Sequence, residues 1–192
     1  MVLFGVTTGR HGELDWCFRG GLRLFFPEQW DRLVAGARMV DAGGDVVEAY
    51  SRLLNNRDPE IRRSAAEEWC RWESATPHWP PRTGLDERFK DPDYALALAR
   101  IVTHYVRHNL WLEDGILLRN ASALSHIPGI LVSGRLDFQA PIANAWELIR
   151  VWPNARLVIV DQAGHGGYAK IGPELVRATD SMAAHATPTG ED

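Results

Sequence analysis

The sequence predicts an α/β protein with parallel strands and a long helical stretch between its first strand and the others. Three observations carry this. Residues 1–6, MVLFGV, read as a short buried strand containing a glycine. From the polar loop TTGRHGE to about Asp114 the pattern is helical, with no alternation of period two. The last third runs strand, helix, strand: IPGILVSGR and ARLVIVDQAGH are apolar runs ending at glycines, and APIANAWELIRVWP between them is amphipathic. Strands apolar on both faces and joined by a helix are those of a parallel sheet buried between helical layers.

The helical stretch carries its own punctuation. FPEQWDRLVAG puts Pro27 at a first helical position, where its missing N–H costs nothing. In GGDVVEAYSRLLN, Val46, Val47, Tyr50, Leu53 and Leu54 share one face. DPEIRRSAAEEWCRWE opens with Asp58 as N-cap and Pro59 behind it, and after the proline-rich break TPHWPPRTG a further capped helix begins at DPDYALALARIVTHYVRHNL.

Length and composition narrow the function. A chain of 192 residues can bury a core, and its 45% hydrophobic and 24% charged residues are those of an ordinary globular protein. A net charge of -4 leaves no basic footprint, so neither nucleic acid nor a membrane is expected as partner. Cys17 and Cys70 are too few for a disulfide framework, and MVLFGVTTGRHGELDW lacks the basic and apolar regions of a signal peptide. A soluble, cytoplasmic protein is expected. Of eight tryptophans, six lie from Trp16 to Trp111, which suits either core packing or the wall of an apolar ligand pocket.

The chemistry concentrates in two turns. SGRLDFQAP places Asp137, and DQAGHGGY places His165, just where a buried strand ends. Ligands on parallel sheets bind at the carboxyl ends of the strands. A carboxylate beside an imidazole fixes its tautomer and stabilises the imidazolium formed when histidine takes a proton from a nucleophile. Acid followed by histidine suits a catalytic triad whose nucleophile precedes both. The alternative is an Asx turn or N-cap at Asp137 ahead of the helix, with His165 an ordinary loop residue. His104 and His108 stand four apart on one helix face, yet no third ligand follows in a zinc-enzyme pattern, and neither metal nor cofactor is expected.

SGRLDFQAP, AWELIRVWP and ARLVIVDQAGHGG resemble the C-terminal third of the proline iminopeptidases, serine exopeptidases of the α/β-hydrolase fold. ELDWCFRGGLRLFFPEQW, WCRWESAT and LALARIVTHYVRHNLWLEDGILLRN resemble that family's helical cap. The resemblance implies a partial α/β-hydrolase fold: a core strand and loop over 1–10, a cap over 11–120, a C-terminal core segment over 121–185 and a frayed tail over 186–192. It makes Asp137 the triad acid, His165 the base, and Glu73 the carboxylate that binds the α-amino group of a substrate with N-terminal proline. A charge-assisted bond to an ammonium distinguishes a chain end from a chain interior. Trp72, Trp79 and Tyr105 are expected as an apolar wall for the pyrrolidine ring, while Glu73 read structurally is a solvated helix-end residue.

Two departures stand out. Val102, followed by Thr103, occupies the place where family members commonly carry a second amine-binding glutamate, which loosens the substrate assignment. No G-x-S-x-G occurs, and Ser133, the nearest in appearance, lies inside a strand. The expectation is a chain that starts after the nucleophile half and is inactive alone. A missing N-terminal half or a homo-oligomer is then expected to cover the open sheet. A non-catalytic binding module, or another hydrolase such as an esterase, amidase or epoxide hydrolase, is the alternative.

Overall fold

In the computed structural model, residues 1–38, 43–81, 84–165 and 167–186 are described. Arg82 and Thr83 of the proline-rich break, Gly166, and residues 187–192 of the expected tail lie outside them. The chain divides into two compact units, Met1–Thr8 with Gly115–Asp192, and Gly9–Asp114.

The first unit is α/β. Strands β1 (Val2–Phe4), β2 (Gly129–Gly134) and β3 (Ala155–Val160) form a parallel sheet in the order β1-β2-β3. Register runs Val2 to Ile130 on one side of β2 and Ile130 to Arg156 on the other. Alternation of side chains along β2 sends Leu131 to one face and Ile130 with Val132 to the other. Leu131 joins Val6, Ala145, Leu148 and Trp152, the last two flanking the end of helix α7 (Ile142–Val151). Ile130 and Val132 join Ala163, Ile171 and Ala178, two of which lie on α8 (Tyr168–Ala186). The Trp152 indole N–H donates to the Ile127 carbonyl at 2.8 Å, so a large apolar ring is buried with its one polar atom satisfied.

The two apolar runs do not share one environment. All of β2 is buried, but β3 is half-buried with Arg156 exposed, because it is an edge strand here. The expected burial of β3 between helical layers is therefore corrected: a strand with one hydrogen-bonded neighbour keeps part of its surface in contact with water. β1 is likewise an edge, with Phe4 exposed.

The second unit is helical: α1 (His11–Phe18), α2 (Pro27–Ala37), α3 (Val46–Leu54), α4 (Pro59–Ala75) and α5 (Pro92–Arg107). A short α6 (Ile116–Arg119) opens the return to the sheet unit. Asp58 accepts from the Glu60 N–H, and Asp91 from Asp93 and Tyr94, as their positions ahead of Pro59 and Pro92 predict. Asp45 caps α3 through Val47 and Glu48 and also binds Arg19. The predicted face of α3 is buried throughout. Tyr50 donates its hydroxyl to the Leu33 carbonyl and sits edge-on to Trp69 at 5.4 Å. Burial, then the nearby Glu68 charge, raises its pKa.

The tryptophans divide between core and surface. Trp69, Trp72 and Trp152 are core, whereas Trp79, Trp111 and Trp146 are exposed. Among the described residues no helix is long and apolar enough to cross a membrane.

Candidate active site

Parallel pairing of β2 with β3 brings the carboxyl ends of both strands side by side. Gly134 and Val160, their last residues, are register partners. The chain then turns after each strand, and the turns are stitched together: the Arg135 N–H donates to Val160 O at 3.0 Å and the Leu136 N–H to Ala163 O at 2.9 Å. The Arg135 guanidinium also pairs with the Asp161 carboxylate. Both of these side chains are more than half exposed, so the pair adds little to stability.

Asp137 and His165 meet across this seam. Asp137 Oδ2 lies 3.0 Å from His165 Nδ1, with the carboxylate buried and the imidazole about one-third exposed, at 35%. The other oxygen, Oδ1, accepts the Ala140 N–H at 2.7 Å. One oxygen of Asp137 thus closes a local turn ahead of α7 and the other reaches the histidine. A carboxylate fixed by a backbone donor has no freedom to turn away, so it holds the ring in one orientation. The N–H of Ala140 was not legible as a partner in advance, because nothing in its side chain marks it.

The turn also needs its glycine. A Cβ built on Gly134 would stand 2.2 Å from the Ala163 carbonyl oxygen, so only a residue without a side chain lets the histidine-bearing segment come this close to β2.

The helical unit places the remaining candidates differently. Glu73 is half-buried in the last turn of α4. A carboxylate there faces the negative end of the helix dipole, which favours the opposite charge. Trp72 is buried, donates its indole N–H to Cys17 O at 3.2 Å and packs edge-on to Trp30 at 5.5 Å. It therefore belongs to the core of its unit and does not present an open wall. Tyr105 is exposed and stacks edge-on against Trp111 at 5.4 Å. Val102 is half-buried, and Thr103 is buried with its hydroxyl bound to Ala99 O. His104 and His108 have ring centres 5.2 Å apart and both contact Trp111. Among the described residues no cluster of three or more His, Cys, Asp or Glu is placed to hold a metal.

Two side chains of nucleophilic type are unsuited by environment. Ser133 is buried inside β2. The Cys70 thiol is pushed up to about 12 by burial and by the Glu73 charge, and contacts Ala95 O, so it stays protonated and inert at neutral pH.

No protein-family model matches the chain. Comparison with individual proteins does find relatives. The chain is 40% identical over 191 residues to a protein of Streptomyces coelicolor named "Probable proline iminopeptidase" and 38% identical over 184 residues to the proline iminopeptidase of Xylella fastidiosa. It is 36% identical over 186 residues to the proline iminopeptidase of Arabidopsis thaliana. These matches cover 95 to 97% of the chain. The chain spans 58% of the length of the two bacterial relatives and 49% of the plant one.

Proposed function

From this similarity to the proline iminopeptidases, which are α/β-hydrolases, we propose that the chain carries the acid and base of a prolyl aminopeptidase, a hydrolase that releases an N-terminal proline from peptides. The observation that carries the reading is the 3.0 Å contact between His165 Nδ1 and a buried Asp137 at the ends of adjacent parallel strands. With Nδ1–H donated to the carboxylate, Nε2 is the atom left to accept a proton. In the reaction, a serine hydroxyl gives its proton to Nε2 as its oxygen bonds to the prolyl carbonyl carbon. The proton then passes to the leaving amine as the C–N bond breaks. Water repeats the sequence on the acyl-enzyme and returns the proton to the serine.

The serine is assigned to a G-x-S-x-G elbow, which the 192 residues do not contain. Residues 1–10 and 121–185 are assigned to the hydrolase core and 11–120 to its cap. Within the cap, Glu73 is assigned to the substrate's ammonium, and its position against the α4 dipole supports a use other than helix stability. Tyr105 is assigned to the pyrrolidine ring. Trp72 is assigned a supporting part, fixing the last turn of α4 on which Glu73 stands. Val102 leaves that ammonium one carboxylate, so we assign a looser preference for a free N-terminus than two would give.

The test uses a proline arylamide and a fluorophosphonate label. Residues 1–192 alone are expected to give neither release nor labelling. Co-expression with the elbow-bearing segment of a proline iminopeptidase should give both, and His165→Ala should then abolish turnover. Stoichiometric labelling of a serine within the 192 residues, or turnover that survives His165→Ala, would overturn the assignment.

A further inference from the structure

We infer that Gly5, the residue after β1, is a positioning residue for His165, providing the side-chain-free floor on which the imidazole rests while it is held on Asp137. The inference builds on the reading of His165 as the base. Gly5 has φ +56°, and a Cβ placed on it would lie 3.1 Å from His165 Cε1, 3.6 Å from Nδ1 and 4.0 Å from Nε2. The edge of the imidazole that carries both nitrogens therefore lies against this glycine.

A methyl group at position 5 has few ways to be accommodated. The strand before it is fixed in the parallel register of Val2, Leu3 and Phe4 with β2. The histidine is the movable partner, since it stands in a glycine-rich turn after β3. Its acid cannot follow, because Asp137 is buried and its Oδ1 is tied to the Ala140 N–H. Displacing the ring by a few tenths of an ångström therefore stretches the 3.0 Å Nδ1 to Oδ2 contact. With that contact go the fixed tautomer and the support for the imidazolium.

All three strand ends thereby contribute to one constellation, β1 with a glycine, β2 with the acid and β3 with the base. Gly115 provides the comparison within the same unit. It too is left-handed, at φ +70°, but a Cβ there would meet only the flexible end of Arg119, at 3.2 Å. Replacing either glycine by alanine imposes a similar backbone strain, and only one replacement reaches the histidine.

The test reads the ring directly in residues 1–192, where no nucleophile is needed. The low-field Nδ1–H proton resonance of His165, assigned by its loss in His165→Gln, should be present in the parent chain and in Gly115→Ala and absent in Gly5→Ala. In the enzyme reconstituted with an elbow-bearing segment, Gly5→Ala should lower kcat on the order of 10²-fold with little change in KM, as expected for a base displaced by part of an ångström. Gly115→Ala should leave kcat unchanged. A resonance that persists in Gly5→Ala, or that Gly115→Ala removes as well, would overturn the inference. Should Gly5→Ala fail to fold, the double variant Gly5→Ala/His165→Ala decides the matter. Recovery of a cooperative melt supports the contact, and continued unfolding attributes the defect to backbone strain and overturns it. Absence of turnover in the reconstituted parent enzyme would count against the hydrolase reading alone, because the resonance is measured without it.

Discussion

Replacing Gly134 by alanine tests how closely the two site turns are fitted. The added Cβ would sit 2.2 Å from the Ala163 carbonyl oxygen, against the 3.4 Å at which ordinary contact begins, a deficit of about 1.2 Å. The obstacle is backbone, so no side-chain rotation relieves it. Either β2 or the segment bearing His165 must move, and the Leu136 N–H bond to Ala163 O is then lost. Overpacking of this kind costs about 1–3 kcal/mol and a lost backbone hydrogen bond about 1 kcal/mol. Together these amount to about 2–4 kcal/mol, which in a chain of this size lowers Tm by roughly 5–15 °C. Gly12→Ala is the matched control: it lies within α1, no proline follows it and nothing stands within 4 Å of its added Cβ, so it should leave Tm unchanged or raise it. Thermal melts followed by circular dichroism, with urea titration for the free energy, measure both. A Gly134→Ala chain that melts within a degree of the parent, with the Asp137–His165 proton resonance intact, would refute the argument that this glycine permits the approach.

Asp45→Ala should destabilise the helical unit by about 1–2 kcal/mol, most of it the lost cap on α3, with the partly exposed Arg19 pair adding less than about 1 kcal/mol, while Asp45→Asn should retain most of the cap. Burial works to raise the pKa of Asp45, but the bonds from Arg19 and from the Val47 and Glu48 N–H groups outweigh it and hold the carboxyl below its ordinary 3.8. Its contribution is therefore complete above that value and is lost as the pH falls through the lower folded-state value, so parent and Asp45→Asn stabilities should converge in acid urea titrations. Trp152→Ala should cost about 3–5 kcal/mol, since it empties the core beneath β2, and Trp152→Phe about 1–3 kcal/mol because it leaves the Ile127 carbonyl without its donor. Equal urea midpoints for the two Trp152 variants would show that ring volume contributes nothing there and refute the cavity argument.

The elements with local signals were legible in the sequence, and those set by distant partners were not. Asp58 with Pro59, and Asp91 with Pro92, mark helix starts because a cap and a fixed φ act within one turn of chain. The apolar run Gly129–Gly134 announces a buried strand, and the glycines beside Asp137 and His165 announce turns at strand ends. Tertiary structure alone decided the rest. Trp72 and Trp111 look alike in composition, yet one is core and the other is exposed, since burial depends on which helix face finds a neighbour. β3 reads as apolar as β2 and is half-buried, because an edge strand is defined by what pairs with it. Asp137 and His165 stand 28 residues apart, and only the register that sets Gly134 beside Val160 brings their side chains to 3.0 Å. Gly5, still farther along the chain, appears in the sequence as one glycine in a short strand, and its closeness to the imidazole exists only after the parallel sheet has formed. Spacing along the chain encodes what each segment can become, whereas contact distances between segments arise from cooperative burial, which no single segment encodes.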